Sequence, residues 1–242
     1  MITEVKNLNA IITGASTGIG YAIAERFASL GINVAVCARN AEKLSELKDN
    51  LSHYGIKIYT ESGDLSDVSF AESFVLNAEK ALGGIDIVVN NAGIALSRSF
   101  EESTVEDYEK IMSLNVRAPF IVCKAALPFL RRSNNATIIN IASVTAHKGY
   151  PLQSLYSASK HALAGMTKSL ANELYSEDIR VHLISPGGVY TEMVKISRPD
   201  LSSDGLILPE DIADIAEFFI THRTNSVIDE IETHRANKAP FA

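Results

Sequence analysis

A glycine-rich turn near the start of the chain constrains the fold more than any other feature. Residues 8–13 are mostly apolar and lead into residues 13–20, TGASTGIG, after which apolar residues recur with a period of 3.6 through Ala24, Phe27 and Leu30. Glycines at such a point let the backbone turn tightly and let a phosphate approach the free N–H groups of the helix. The pattern predicts a dinucleotide site; the alternative is a glycine-rich turn that binds no ligand.

The rest of the chain continues the alternation of short apolar runs and helical patterns. Five further strands are predicted, at residues 33–38, 58–62, 85–89, 136–143 and 180–185. Of the helical segments between them, residues 104–130 contain Pro119, which predicts a kink or a break. Elements of these lengths predict one α/β domain whose mainly parallel sheet has helices on both faces. Ligands of such sheets bind at the carboxyl ends of the strands.

Composition limits the class of partner. The formal net charge of the 242 residues is −7, which argues against binding to nucleic acid or to an anionic membrane and favours a small molecule. Cys37 and Cys123 lie in apolar segments without a Cys/His cluster, so no metal site is predicted. No stretch approaches the roughly 18 uninterrupted apolar residues of a membrane span, and a cytoplasmic location is the simplest interpretation.

The residues that follow the second strand bear on the choice of cofactor. A carboxylate there would bind the ribose hydroxyls of NAD, whereas an arginine pairs with the 2′-phosphate of NADP. Ala38 and Arg39 occupy this place, which predicts NADP(H), with NAD(H) as the alternative cofactor. The alternative interpretation of Arg39 is a solvated loop cation that binds no cofactor. After the third strand, Asp64 lies where an adenine would bind, but it would equally cap the next helix.

A phenol and an ammonium four residues apart, those of Tyr156 and Lys160, share one face of any helix that contains both. A tyrosine with an ordinary pKa near 10 becomes an acid or base near neutrality only if a cation stabilises the phenolate, and Lys160 is placed to supply one. Ser143 precedes the pair at the end of the fifth strand. Asn115, inside an apolar helical segment, is either a satisfied core residue or a residue that orients a water.

Taken in this order, the motifs resemble those of the short-chain dehydrogenase/reductase family. They are the glycine-rich turn, NNAG at residues 90–93, Asn115, Ser143, Tyr156 with Lys160, and PGG at residues 186–188, and the resemblance extends over residues 8–231. It implies a doubly wound, seven-stranded Rossmann sheet whose seventh strand lies at residues 227–231, a nicotinamide cofactor and a catalytic tetrad of Asn115, Ser143, Tyr156 and Lys160. In that tetrad Tyr156 donates the proton, Ser143 binds the carbonyl oxygen, Lys160 lowers the pKa of the tyrosine and contacts the ribose, and Asn115 holds a water.

The resemblance also implies a set of cofactor-binding residues. One of them, Thr17, argues against NADP, because relatives that prefer NADP often have a basic residue in this part of the turn. The full set is Gly14, Ser16, Thr17, Gly18, Ile19, Gly20, Arg39, Asp64, Leu65, Asn91, Ala92, Gly93, Tyr156, Lys160, Pro186, Gly187, Val189 and Thr191.

A substrate lid is expected at residues 190–208, with Met193, Val194 and Ile196 lining an apolar pocket. Lys195 and Arg198 in the same segment either attract an acidic substrate or are solvated cations. Two residues between the serine and the tyrosine, His147 and Tyr150, are expected to shape the pocket, whereas His161 and His182 are expected to be structural.

The helices at residues 114–130 and 156–174 are apolar on more than one face, which predicts a homodimer or homotetramer. The polar C-terminal end departs from the commonest family pattern, and this departure puts the usual tetramer contacts of the C-terminus in doubt.

Three functions therefore compete. The leading one is an NADP-dependent oxidoreductase that reduces a ketone or aldehyde, or oxidises the corresponding secondary alcohol, with Tyr156 as general acid or base. The alternatives are an NAD-linked dehydrogenase of a hydroxy acid, sugar or steroid, and a redox sensor that binds NADP without turnover. The intact tetrad argues against the sensor, which has no need of both Tyr156 and Lys160.

Overall fold

A single parallel sheet forms the centre of the molecule. The computed structural model describes residues 3–197 and 204–239, without the side chains of residues 196 and 197. Within these residues the strands run in the order β3-β2-β1-β4-β5-β6-β7, and every neighbouring pair is parallel. The strands are β1 (Asn9–Thr13), β2 (Asn33–Ala38), β3 (Ile58–Ser62), β4 (Ile87–Asn90), β5 (Thr137–Ile141), β6 (Arg180–Pro186) and β7 (Glu230–Thr233). The predicted Rossmann fold is confirmed.

Helices cover both faces of the sheet. The central strands are therefore buried on both sides, and they carry apolar residues in consecutive positions. Along β1, Ile12 belongs to the apolar layer under α1, α2 and α8, and Ile11 to the layer under α3, α5 and α6. The helices are α1 (Gly18–Ser29), α2 (Ala41–Leu51), α3 (Val68–Leu82), α4 (Val105–Met112), α5 (Ala118–Leu130), α6 (Ser154–Leu174), α7 (Glu192–Ser197) and α8 (Pro209–Thr221).

The helical segment at residues 104–130, for which Pro119 predicted a kink or a break, is one helical run over Val105–Leu130 that contains a π-helical turn. α4 ends at Met112 and α5 begins at Ala118, with a π-helical turn, Ser113–Arg117, between them. Pro119 is the second residue of α5 and lies directly after the π-helical turn. By length and composition the whole run would also suit a membrane span, with a mean hydropathy of 1.2. However, Val122, Ala126 and Leu130 are buried in the core, which is typical of a soluble core helix.

The seventh strand lies further along the chain than its apolar residues predicted. Residues 227–231 were expected to form it, but β7 is Glu230–Thr233, and Val227 and Ile228 are exposed before it. The register is set by β6, because Leu183 is paired with Glu230 and its N–H donates to Asp229 O (2.9 Å). The predicted position was therefore wrong: pairing with a distant strand outweighed local hydrophobicity.

Candidate active site

The glycine-rich turn leaves the first N–H groups of α1 without a side-chain cap. Thr17 precedes the helix in an extended conformation, its side chain makes no capping hydrogen bond, and the first turn contains no acidic residue. Such a helix end attracts an anion, since free N–H groups and the helix dipole point the same way. The donor set therefore fits the phosphates of a dinucleotide.

Close packing explains the glycines of this turn. A Cβ on Gly14 would lie 2.8 Å from Ala92 Cα, and a Cβ on Gly20 would overlap the Asn91 amide. Asn91 Nδ2 donates to Thr13 O and Gly14 O, both at 3.0 Å. Thr13 Oγ1 accepts from the N–H groups of Asn91 and Ala92, also at 3.0 Å. The loop after β4 is thus fastened to the turn after β1. Thr13 was not predicted as a site residue, although a hydroxyl ending a buried strand was a usable signal.

A cavity of about 320 Å³ runs along this edge of the sheet. Of the predicted cofactor-binding residues, four lie outside its lining: Gly20 and Val189, which are buried, Pro186, which ends β6, and Gly187, which faces a second cavity. The others line it, namely Gly14, Ser16, Thr17, Gly18, Ile19, Arg39, Asp64, Leu65, Asn91, Ala92, Gly93, Tyr156, Lys160 and Thr191.

Two charged residues, Arg39 and Asp64, also line this cavity. Arg39 is exposed in its wall, directly after β2. Asp64 accepts hydrogen bonds from Ser66 N (2.9 Å) and Ser66 Oγ (2.8 Å). These bonds lower the pKa of the Asp64 carboxyl, and the Arg39 charge adds to the effect. The cap of α3 is Asp67, so the interpretation of Asp64 as a helix cap was wrong.

Tyr156 and Lys160 lie in successive turns of α6, which begins two residues before the tyrosine. Lys160 Nζ donates to Ile141 O at the end of β5 (2.8 Å) and lies 5.8 Å from the centre of the Tyr156 ring. Burial raises the pKa of Tyr156 to about 12, although hydrogen bonding with Ser143 acts in the opposite direction. Burial lowers the pKa of Lys160 to about 8. The expected lowering of the tyrosine pKa by Lys160 is therefore wrong for the protein without cofactor, and near neutrality the phenol is protonated.

Asn115 is 1% exposed and lies in the π-helical turn. Its Oδ1 accepts from Ile94 N (2.9 Å), and its Nδ2 donates to Ile94 O (2.9 Å) and to Ser159 Oγ (3.0 Å). Both amide hydrogens are used by protein partners, which favours the interpretation of a satisfied core residue. The side chain ties the loop after β4 to helix α6 beside Lys160.

A second cavity, of about 160 Å³, meets the first at Tyr156 and Met193, which line both. Ser143 follows β5 and lines this second cavity, and its Oγ accepts from Thr145 N (3.2 Å). Val194 and Tyr150 also line it, as expected of pocket residues. The carbonyl group of a substrate that enters here would meet both hydroxyls.

Three other expectations for the substrate pocket have different outcomes. His147 does not line the cavity, because its Nε2 contacts Glu230 Oε1 (2.5 Å) and Ser185 Oγ (3.3 Å) instead. Lys195 pairs with Glu192 (2.6 Å) and also lies outside the lining. Arg198 and the side chain of Ile196 lie outside the part of the chain that the structure describes.

The C-terminal segment contributes residues that the sequence did not single out. Glu232, His234, Arg235, Lys238 and Ala239 line the second cavity. Because β7 is parallel to β6, the chain that leaves it emerges at the same edge of the sheet as the other strand ends. That rule was a usable signal, but it required the correct end of β7.

Comparison with known proteins agrees with this geometry. The family described as short chain dehydrogenase matches residues 8–202. A curated relative, 3alpha-hydroxysteroid dehydrogenase of Mediterraneibacter gnavus, is 33% identical over 242 residues, which cover 96% of each chain. A solved blue fluorescent protein from a metagenomic library, in complex with NADPH, is 31% identical with a TM-score of 0.89, covering 98% of this chain and 100% of the other. A short chain dehydrogenase from Mycobacterium paratuberculosis bound to NAD is 28% identical with a TM-score of 0.85, covering 95% and 97%.

Proposed function

The chain belongs to the short-chain dehydrogenase/reductase family and is an NAD(P)-dependent oxidoreductase; we propose that it reduces a ketone or aldehyde with NADPH, or oxidises the corresponding secondary alcohol in reverse. One observation supports this reaction above all: Tyr156 lines both cavities. It therefore stands between the space that fits a dinucleotide and the space left for a small substrate.

The proposed chemistry assigns a role to each polar group around that point. A bound nicotinamide supplies the hydride, so negative charge develops on the carbonyl oxygen. Ser143 donates a hydrogen bond to this oxygen and Tyr156 donates the proton, which its raised pKa keeps available at neutral pH. Lys160, with a pKa of about 8, is mainly an ammonium there and stabilises the phenolate that remains. General acid catalysis of this kind accelerates a reaction by roughly 10²- to 10⁴-fold.

Asn115 has a positioning role in this proposal. Its contacts with Ile94 and Ser159 hold the loop and the helix that flank Lys160. A Cβ on Gly93 would lie 3.1 Å from Asn115 Oδ1 and 3.7 Å from Lys160 Nζ, so the same loop approaches both side chains closely.

The preference for NADPH rests on Arg39. Its guanidinium lines the cofactor cavity directly after β2, where Ala38 leaves no carboxylate to bind the ribose hydroxyls of NAD. The two solved structures described above carry NADPH and NAD respectively, so structural likeness by itself does not choose between the cofactors.

The test is the oxidation of NADPH, followed by its absorbance, with a panel of ketones and aldehydes. Wild type is expected to turn over at least one compound, and Tyr156→Phe to lose turnover while NADPH binding, measured by fluorescence titration, stays nearly unchanged. Binding without oxidation across the panel would favour the redox sensor. A Tyr156→Phe variant that keeps most of its activity would overturn the assignment of the proton donor.

The sequence predicted a subunit contact at residues 114–130 and 156–174, but no large apolar side chain is exposed within residues 156–174. We therefore propose a homo-oligomer that forms through helices α4 and α5. Val105, Tyr108 and Phe120 expose large apolar side chains on these helices, and exposed apolar surface of this kind is typical of contacts between subunits. Residues 190–208 are proposed to act as the substrate lid, and the protein is proposed to be cytoplasmic.

A further inference from the structure

The second cavity has a basic wall in addition to the apolar residues Met193 and Val194. Lys148, Arg235 and Lys238 line it together with a single carboxylate, that of Glu232. Lys148 and Arg235 are half-buried. Across residues 3–197 and 204–239, none of the three cations forms an ion pair with a carboxylate. Cations gathered around a partly buried space without protein partners favour an anionic ligand.

The segment that carries Arg235 and Lys238 is held in a defined position. It leaves β7 beside Gly187, whose N–H donates to Thr233 O (2.8 Å). Further along, Asn237 packs on Gly205, where a Cβ would overlap the Asn237 amide. Asn237 Nδ2 also donates to Asp204 O (3.5 Å). The basic wall is therefore part of the folded pocket.

These cations do not serve the phosphates of the dinucleotide. The cofactor cavity is lined by the glycine-rich turn and by Arg39, and it shares only Tyr156 and Met193 with the second cavity. An anion held by Arg235 would thus belong to the substrate. Because Ser143 and Tyr156 lie in the same small space, one molecule would reach the two hydroxyls with its carbonyl group and the basic wall with its charge.

We propose that this enzyme selects carbonyl substrates that carry a carboxylate, which Arg235 binds with the help of Lys148 and Lys238. The proposal rests on the reductase function proposed above. Arg235 is placed first because a guanidinium binds a carboxylate through two parallel hydrogen bonds, whereas a lysine provides a single point of charge. The charge thereby orients the carbonyl group toward Ser143 and Tyr156.

The experiment compares two aldehydes that differ in charge, 4-carboxybenzaldehyde and methyl 4-formylbenzoate. The readout is the ratio of kcat/KM for the acid to kcat/KM for the ester, so that the different reactivities of the two aldehydes cancel between variants. In Arg235→Gln this ratio is expected to fall about tenfold through a higher KM for the acid, as the loss of a hydrogen bond to a charged group predicts. Arg235→Lys is expected to retain an intermediate ratio.

Lys48→Gln is the matched control, because Lys48 is an exposed cation on α2 that lines neither cavity. It is expected to leave the ratio unchanged. Activity on the ester shows that each variant is folded. An Arg235→Gln variant with the same ratio as wild type would overturn the proposal and leave the reductase function intact.

A second readout separates the two proposals if neither aldehyde is reduced. Binding of the anion 4-(hydroxymethyl)benzoate to the NADP-saturated protein is measured by isothermal titration calorimetry. Arg235→Gln is expected to weaken this binding about tenfold and Lys48→Gln to leave it unchanged. Equal affinities of wild type and Arg235→Gln, or no binding to wild type, would contradict carboxylate recognition.

Discussion

Arg39 is exposed at the end of β2, where its charge faces the cofactor cavity. Replacement by alanine removes the proposed partner of the 2′-phosphate of NADP and provides no new partner for NAD. We expect Arg39→Ala to lower the ratio of kcat/KM for NADPH to kcat/KM for NADH about tenfold or more, mainly through KM for NADPH. Steady-state kinetics with both cofactors measures this ratio. A wild type that prefers NADH would refute the assignment.

Lys160 makes the stability of the protein without cofactor depend on pH. Its pKa is about 8 in the folded protein, below the ordinary value of 10.5. Between these values the unfolded chain binds more protons, so the contribution of Lys160 to stability rises with pH across this window. Below it the buried ammonium destabilises the fold. We therefore compare the free energy of unfolding of Lys160→Met with that of wild type. The difference is expected to favour the variant near pH 7, and to do so by up to about 3 kcal/mol more than at pH 10.5.

Urea unfolding at several pH values measures this effect. The difference between wild type and Lys160→Met cancels the other groups that titrate in the window, such as the buried thiols of Cys37 and Cys123. Lys48→Met, which replaces an exposed lysine, is expected to show a difference that does not change with pH. A pH-independent difference for Lys160→Met would show that burial does not perturb this ammonium.

At the scale of secondary structure, the π-helical turn places Asn115 between a loop and a helix. Asn115→Ala would leave the N–H and C=O of Ile94 without their partner, and unpaired buried groups are costly. We expect the free energy of unfolding to fall by about 2–4 kcal/mol, as measured by urea denaturation. Asn50→Ala is the control: among the described residues the exposed Asn50 side chain makes one hydrogen bond, to Tyr21 Oη (3.1 Å), and its loss should change stability by about 0.5 kcal/mol or less.

The same scale shows why α6 suits its proposed role. The helix begins at Ser154, so Tyr156 and Ser157 lie in its first turn and Lys160 lies one turn later. Lys160 reaches Ile141 O at the end of β5, while Ser143 follows that strand. A helix packed against a strand end thus holds the phenol, the ammonium and the hydroxyl by rigid elements rather than by a mobile loop.

At the scale of the whole molecule, Phe120 on α5 tests the proposed subunit contact. Its side chain is 50% exposed and lies near Lys124, whose Nζ is 5.8 Å from the ring centre. Wild type is expected to elute as a dimer or larger species, and Phe120→Asp to shift toward the 26.2 kDa monomer, because a carboxylate at an apolar contact is costly. Size-exclusion chromatography with light scattering reports the mass.

The matched control for this contact is Leu76→Asp. Leu76 on α3 is exposed to a similar degree, 47%, but it lies outside α4 and α5. It should leave the assembly unchanged. A wild-type monomer at micromolar concentration would contradict the oligomer itself, whereas dissociation by both substitutions would point to a contact that is not confined to α4 and α5.

Local pattern determined most of the framework. The apolar run at residues 33–38 predicted β2 with the bounds that the structure shows, because a buried parallel strand needs consecutive apolar residues. β3 was also predicted with its observed bounds, although this edge strand is only partly buried. The glycine-rich turn predicted a strand, a turn and a helix start, since few other residues allow the left-handed conformation of Gly14 and Gly18. The rule that ligands bind at strand ends then brought the predicted site residues to one edge of the sheet.

Tertiary structure alone decided that the C-terminal segment lines the second cavity. The end of β7 depends on pairing between Leu183 and Glu230, which lie far apart along the chain. The sequence prediction placed the strand too early because Val227 and Ile228 are apolar, although both are exposed. The position of the C-terminal segment depends on the contact of Asn237 with Gly205. Neither contact leaves a local trace in the sequence, because period and propensity report only on neighbouring residues. The sequence by itself therefore determined the sheet and the pair of Tyr156 and Lys160 on one helix face, and long-range packing decided that Arg235 and Lys238 line the second cavity.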